Sequence, residues 1–185
     1  MAPVIEPAQA SDLAAILALL ASHGLPDAGL ADHLPTTLVA RVGPTAVSPT
    51  AASSTAASPT AVSSTAASST AASSTADSST AASSTGVVGC AAIEPYDGAG
   101  LLRSVAVAEP HRGKALGMRL TEAAIRLAEA RGIRALYLLT ETAAGFFPRF
   151  GFRPIPRDQV APAVRQSIEF TRACPASAMA MVKEL

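Results

Sequence analysis

Along most of the chain, apolar and polar positions follow one of two rhythms, and one long stretch follows neither. Val4-Ile5 marks a short strand. Ser11 is a suitable N-cap for a helix over 12–23, where Leu13, Ile16, Leu17 and Leu20 recur at helical spacing and Gly24 stops the run. A shorter helix is expected over 27–34. The β-rich runs 36–42 and 87–93 read as the two arms of a hairpin, with Gly43 and Gly86 near its tip. Another strand is expected over 100–107. The clearest helix spans 114–131: Leu116, Leu120, Ala123, Ala124 and Leu127 share a face, Glu122 and Arg126 stand at i,i+4, and Gly132 closes it. An apolar strand over 133–140 follows, then a short helix over 143–149. Pro154 and Pro156 mark a loop, Pro162 suits a helix start, and 177–184 is a last strand. The order β-α-α-β-β-β-α-β-α-β predicts a mixed α/β sheet.

The exception is 44–85. From Ala46 to Thr85 the chain is a run of pentads, beginning AVSPT-AASST-AASPT and ending ADSST-AASST. A repeat of five fits neither the roughly 3.6-residue helical period nor the two-residue strand period. Ser and Thr compete with the backbone for hydrogen bonds, and no large apolar side chain offsets the entropy of ordering. The stretch is expected to be a disordered, low-complexity insert. Closing a longer loop costs only about 0.6 kcal/mol per doubling of length, so a hairpin turn can carry it. Residues 1–185 then form a single domain interrupted by the insert.

Composition removes several function classes. Fourteen basic and fourteen acidic residues give zero net charge, so no basic surface speaks for nucleic acid. No run of about 20 apolar residues speaks for a membrane. The opening residues lack the basic and long apolar regions of a secretory signal, which leads to the expectation of a cytoplasmic protein. Cys90 and Cys174 are far apart, fit no zinc spacing and read as reduced thiols. His23, His33 and His111 have no metal-ligand spacing either, so no metal is expected.

The informative segment is 101–117, where a strand runs through a short loop into a helix. The first amides of a helix lack partners, and its dipole favours negative charge, which makes such an end a phosphate site. Gly113 and Gly117 permit close backbone approach, and Arg112 and Lys114 add positive charge.

Ser104-Val105-Ala106-Val107 followed by Pro110-His111-Arg112-Gly113-Lys114-Ala115-Leu116-Gly117 resembles the acetyl-CoA motif of the GNAT superfamily of N-acetyltransferases, Gln/Arg-x-x-Gly-x-Gly/Ala. Arg112 and Gly117 match its ends. Ala115 replaces the middle glycine, and its methyl group crowds a pyrophosphate unless its φ is negative. Phe146-Phe147-Pro148-Arg149-Phe150-Gly151-Phe152 is similar to the family's aromatic segment after the fifth strand, with Phe147 where many members have a proton-donating Tyr. Glu94-Pro95-Tyr96, 101–107, 137–140 and the tail from Glu169-Phe170 through Cys174-Pro175-Ala176-Ser177-Ala178 to Met181 look like the arsenic-resistance branch.

The resemblance implies a mostly antiparallel mixed sheet flanked by helices, with the insert in the hairpin. It also implies acetyl-CoA as co-substrate, a small-molecule amine as acceptor, and the possibility of a homodimer. The fourth strand is expected to splay from the fifth, leaving a gap for the pantetheine. Backbone groups of Val105, Ala106 and Val107 are expected to bond it, and Arg112, Gly113, Lys114, Ala115, Leu116 and Gly117 to hold the pyrophosphate. An amine must be neutral to attack a thioester, and Glu94 is the candidate base. Arg103, with the parity of Val105 unless a bulge intervenes, is a candidate grip for a substrate carboxylate. Thr140 and Thr142, before a helix, read as N-caps or cofactor contacts. The alternatives to acetylation of an amino-acid-like arsenical or related toxin are a non-catalytic CoA-binding sensor, which Phe147 keeps open, and an acetyltransferase for another small amine or a peptide N-terminus.

Overall fold

The runs expected to form a hairpin pair as expected. In the computed structural model, which describes residues 2–43 and 86–185, β2 (Thr37–Arg41) lies antiparallel to β3 (Val87–Tyr96). The Val42 amide donates to the Gly86 carbonyl at 2.8 Å and closes the pair. The pentads lie outside the described residues.

β1 (Val4–Pro7) adds antiparallel to β2, and β4 (Ala99–Val107) to β3. β5 (Ala135–Thr140), β6 (Arg153–Ile155) and β7 (Met179–Glu184) complete one sheet in the order β1-β2-β3-β4-β5-β7-β6. Every pairing is antiparallel except β4 with β5. Pro154 sits inside β6 rather than in a loop. β6 is an edge strand, where a residue without an amide hydrogen is tolerated.

α1 (Leu13–Ser22) and α2 (Leu116–Ala130) pack on opposite faces of the sheet. The period-two alternation of β2 and β3 feeds both. Leu38, Ala40, Ala91 and Ile93 meet Leu116, Leu120 and Ala124 of α2, whereas Val39, Cys90 and Ala92 meet Ile16 and Leu20 of α1. Leu120, Ile16 and Leu20 are fully buried, and side chains of this size contribute about 1.5–3 kcal/mol each when taken wholly from water. Arg131 caps α2 and Gly132, at φ +73°, turns the chain away in the left-handed region.

Three short elements differ from expectation. Residues 10–12 form a 3₁₀ turn before α1, so Ser11 is not its cap. Asp12 takes that place and accepts the Gln9 amide at 2.7 Å. A buried carboxylate at a helix N-terminus also meets the favourable end of the dipole, and here Arg41 of β2 pairs with it. The segment expected as a helix over 27–34 is a 3₁₀ turn, Leu30–Thr36, with Pro35 inside it. The one expected over 143–149 is another, Phe147–Phe150, held by packed aromatic rings rather than by helical periodicity.

Candidate active site

β4 is where the sheet opens. It pairs with β5 only over Ala99, Gly100 and Leu101, against Ala135, Leu136 and Tyr137. β4 continues to Val107 and β5 to Thr140 without further pairing. The strands diverge, and a cavity of about 440 Å³ lies between them, walled by residues 101–107 on one side and 138–143 on the other. Two sheet edges with unpaired amides and carbonyls are thus presented to whatever enters.

A bulge re-aims the β4 wall. Ala92 opposes Arg103 and Cys90 opposes Ala106, so Ala91 faces both Ser104 and Val105. Ser104 adopts φ +55°, which a residue with a Cβ rarely does. The extra residue flips the alternation. Leu102 and Val105 pack on the α2 side of the sheet, and Ala106 packs on the α1 side. Arg103 and Val105 therefore do not share a face, contrary to simple strand parity.

At the Val107 end, a 3₁₀ turn over Glu109–His111 leads through Arg112 and Gly113 into α2. The first amides of α2, on Leu116, Gly117 and Met118, have no carbonyl one turn back to bond. Ala115 sits just before them at φ +58°. The condition for an uncrowded loop, a negative φ there, is not met, and a left-handed non-glycine residue carries about 1–2 kcal/mol of strain. A side chain built on Gly117 finds its nearest neighbours, Phe146 and Val107, at 3.7 and 3.8 Å. Gly117 is half-buried, and Lys114, three residues before it, is exposed.

Arg112 turns back toward β4. Its Nε donates to the Val107 carbonyl at 3.1 Å, and Nη2 reaches His23 Nδ1 at 3.0 Å. His23 Nε2 lies 2.9 Å from the same carbonyl. Arg112 Nη2 also lies 3.2 Å from His23 Nε2, so Arg112, His23 and the Val107 carbonyl form one cluster. The last residue of α1's cap thus reaches the mouth of the gap, a role that nothing in the spacing of the histidines announced.

At the other end, Arg103 is closed in by acids. Its side chain is 2% exposed; Nη1 lies 3.3 Å from Glu94 Oε2, and Nη2 lies 2.7 Å from Glu169 Oε1. Nη2 also donates to the Ala28 carbonyl at 2.8 Å. A guanidinium so engaged is not an open fork for a second carboxylate. Glu94 is buried behind it and does not line the gap. Its Oε1 accepts from Tyr96 Oη at 2.6 Å and lies 3.3 Å from His33 Nε2. Burial first, and then the neighbouring Glu94, push the Tyr96 phenol far above its ordinary value.

Glu169 does line the gap, together with Cys174. They lie five residues apart on a π-helical turn, Glu169–Ala173, closed by the Cys174 amide on the Glu169 carbonyl at 2.9 Å. Cys174 Sγ donates to Glu169 Oε2, also at 2.9 Å. Burial and then the adjacent carboxylate push this thiol up to about 12, so it stays protonated. Cys90, buried in the α1 face, is likewise raised to about 12 by burial. Thr140 caps the following turn by accepting the Ala143 amide at 3.0 Å, and Thr142 is exposed on the wall. Phe147 is a packing residue, edge-on to Phe146 at 5.1 Å and to Phe152 at 5.8 Å, and its ring has no proton to give.

A sheet that forks beside a helix N-terminus has known counterparts. Residues 77–154 match the family described as acetyltransferase (GNAT) domain.

Solved structures share the fold. N-acetylglutamate synthase from Neisseria gonorrhoeae, complexed with coenzyme A and N-acetyl-glutamate, aligns at TM-score 0.66 and 17% identity over 100% of this chain. The chain spans only 35% of that protein's length. Rv2747 from Mycobacterium tuberculosis, in complex with CoA and NLQ, aligns at TM-score 0.66 and 19% identity over 99% of both chains. An acetyltransferase of GNAT family from Staphylococcus aureus Mu50 aligns at TM-score 0.64 and 14% identity, covering 100% of this chain and 99% of its own. Among the described residues, no cluster of three or more His, Cys, Asp or Glu could hold a metal, and no helix is long and apolar enough to cross a membrane.

Proposed function

We propose that the protein transfers an acetyl group from acetyl-CoA to the amine of a small molecule. The observation that carries this is the early end of β4–β5 pairing at Leu101 and Tyr137, in line with the unpartnered amides that open α2. The gap suits an extended pantetheine arm, which would bond Val105, Ala106 and Val107 as an added strand does. The pyrophosphate falls to the amides and charges of Arg112, Gly113, Lys114, Ala115, Leu116 and Gly117. Arg112 then exchanges the Val107 carbonyl for the phosphates, which leaves His23 as that carbonyl's remaining side-chain contact.

A backbone N–H in the bulged segment polarises the thioester carbonyl, an oxyanion-hole role. Holding amine and thioester together supplies much of the acceleration. Glu94 reaches the gap only through Arg103, so in this reading it positions rather than touches the amine. Arg103, already engaged by Glu94 and Glu169, orients these acids in this reading and does not seat an acceptor carboxylate.

The likeness of the tail around Glu169 and Cys174 to the arsenic-resistance branch makes an amino-acid-like arsenical or related toxin in the cytoplasm the first acceptor to try. A CoA-binding sensor is the second reading, favoured by Phe147. Release of free CoA thiol should be followed against amino acids, arsenicals and simple amines. Turnover with at least one of them is expected; tight acetyl-CoA binding with no turnover for any would replace the enzyme by the sensor.

A further inference from the structure

The gap holds one buried carboxylate, and it is not the one the sequence singled out. Glu169 is 5% exposed and lines the cavity; Glu141, the other acid on the wall, is exposed. Resting on the transferase reading above, we propose that Glu169 accepts the proton of the acceptor amine, with Arg103 and Glu94 as positioning residues behind it.

The two oxygens of Glu169 are held differently. Oε1 is fixed by Arg103 Nη2 at 2.7 Å, and that charge-assisted bond sets the carboxylate's plane. Oε2 is held by the Cys174 thiol at 2.9 Å. A thiol is a weak donor, so an amine N–H that displaces it makes the better bond at small cost. Cys174 is half-buried and shares the cavity wall, so the displaced position opens onto the gap. The π-helical turn is what places the two side chains next to each other, and such turns recur at functional sites.

Glu94 and Glu169 share the single guanidinium of Arg103, and Arg157, which donates to the Phe170 and Pro175 carbonyls, stands near Cys174. The acceptor, a primary ammonium in solution, sheds one proton to solvent before it reacts. The neutral amine attacks the thioester carbonyl carbon, forming the C–N bond. As the tetrahedral centre collapses, the C–S bond breaks, the nitrogen's second proton passes to Glu169 Oε2, and CoA leaves as thiolate. The thiolate takes a proton from solvent, and Glu169 returns its own to solvent.

The test uses the full chain, acetyl-CoA and methylamine, the smallest primary amine, as probe. In Glu169→Gln, kcat/KM for methylamine is expected to fall by about 100-fold or more, while calorimetric affinity for acetyl-CoA stays within about twofold. Glu94→Gln should lose less. Glu169→Asp keeps the charge and should fall between the parent and Glu169→Gln, which covers the case in which the glutamine variant does not fold. Iodoacetamide should label Cys174 faster in Glu169→Gln, because burial still raises the thiol but the adjacent carboxylate no longer adds to it. A Glu169→Gln rate within about threefold of the parent, or a larger loss in Glu94→Gln, overturns the assignment of Glu169 while leaving the transferase reading intact. If methylamine is not turned over, the same variants are compared on the amino acid or arsenical that is; a parent chain that binds acetyl-CoA yet acetylates none of them overturns both.

Discussion

Gly117 shows how one residue's lack of a side chain becomes a measurable affinity. Its backbone is helical and its neighbours stand at ordinary contact distance, so a Cβ there has room in the ligand-free protein. Gly113 is different: at φ +72° any side chain is strained. Gly117→Val is therefore the cleaner probe. It should leave thermal stability nearly unchanged and raise the acetyl-CoA KM about tenfold or more, because the added methyls occupy the space above the first amides of α2. An unchanged KM in a folded variant would count against the loop as the phosphate seat. The loop was legible in the sequence because glycines, basic residues and a strand-to-helix transition are all local signals. Glu169 was not legible as a site residue. Its stretch lacks apolar periodicity, and its partner Arg103 lies 66 positions earlier on another strand. His23 was hidden for the same reason, since its contacts are made across the fold by the end of α1.

Elements repeat that division between local and non-local information. α2 and the β2–β3 hairpin follow from period and propensity, and both are found within a few residues of expectation. The fork of β4 from β5 had no local signature; the resemblance to a family implied it. No residue in β4 announces the bulge at Ser104, which depends on the register against β3.

The start of α1 carries a testable electrostatic consequence. Burial alone would raise Asp12, but hydrogen bonds from Arg41 and the Gln9 amide outweigh it and hold the carboxyl below its ordinary value of 3.8. A carboxyl with a depressed folded pKa contributes stability that is complete above its unfolded value and disappears as pH falls through the folded one. Urea unfolding midpoints should therefore drop between pH 6 and pH 3 in the parent. In Asp12→Asn the midpoint should be lower at pH 6 and change less on acidification. Equal slopes in the two chains would show that this ion pair does not contribute to the acid sensitivity.

At the scale of the whole molecule, one sheet with a helix on each face holds the two halves of a site that are far apart in sequence. In the proposed reading β4 and α2 supply the phosphate end, the segment between β6 and β7 supplies Glu169, and β3 supplies Glu94. The Val42–Gly86 hydrogen bond holds together the two described positions that flank the stretch. A chain in which residues 44–85 are replaced by a short Gly-rich turn should keep its acetyl-CoA affinity and its turnover within about twofold, since loop length enters stability only logarithmically. A large loss of either would assign the pentads a part in the site.

The account stands on a thioester cofactor lying in the forked gap with its phosphates at the start of α2. Calorimetric titration of the full chain with acetyl-CoA, repeated with Gly117→Val, tests this most directly. The prediction is one site per chain with micromolar or tighter affinity, weakened about tenfold or more in the variant. The absence of a binding isotherm in the parent chain, or identical isotherms in both, would contradict it.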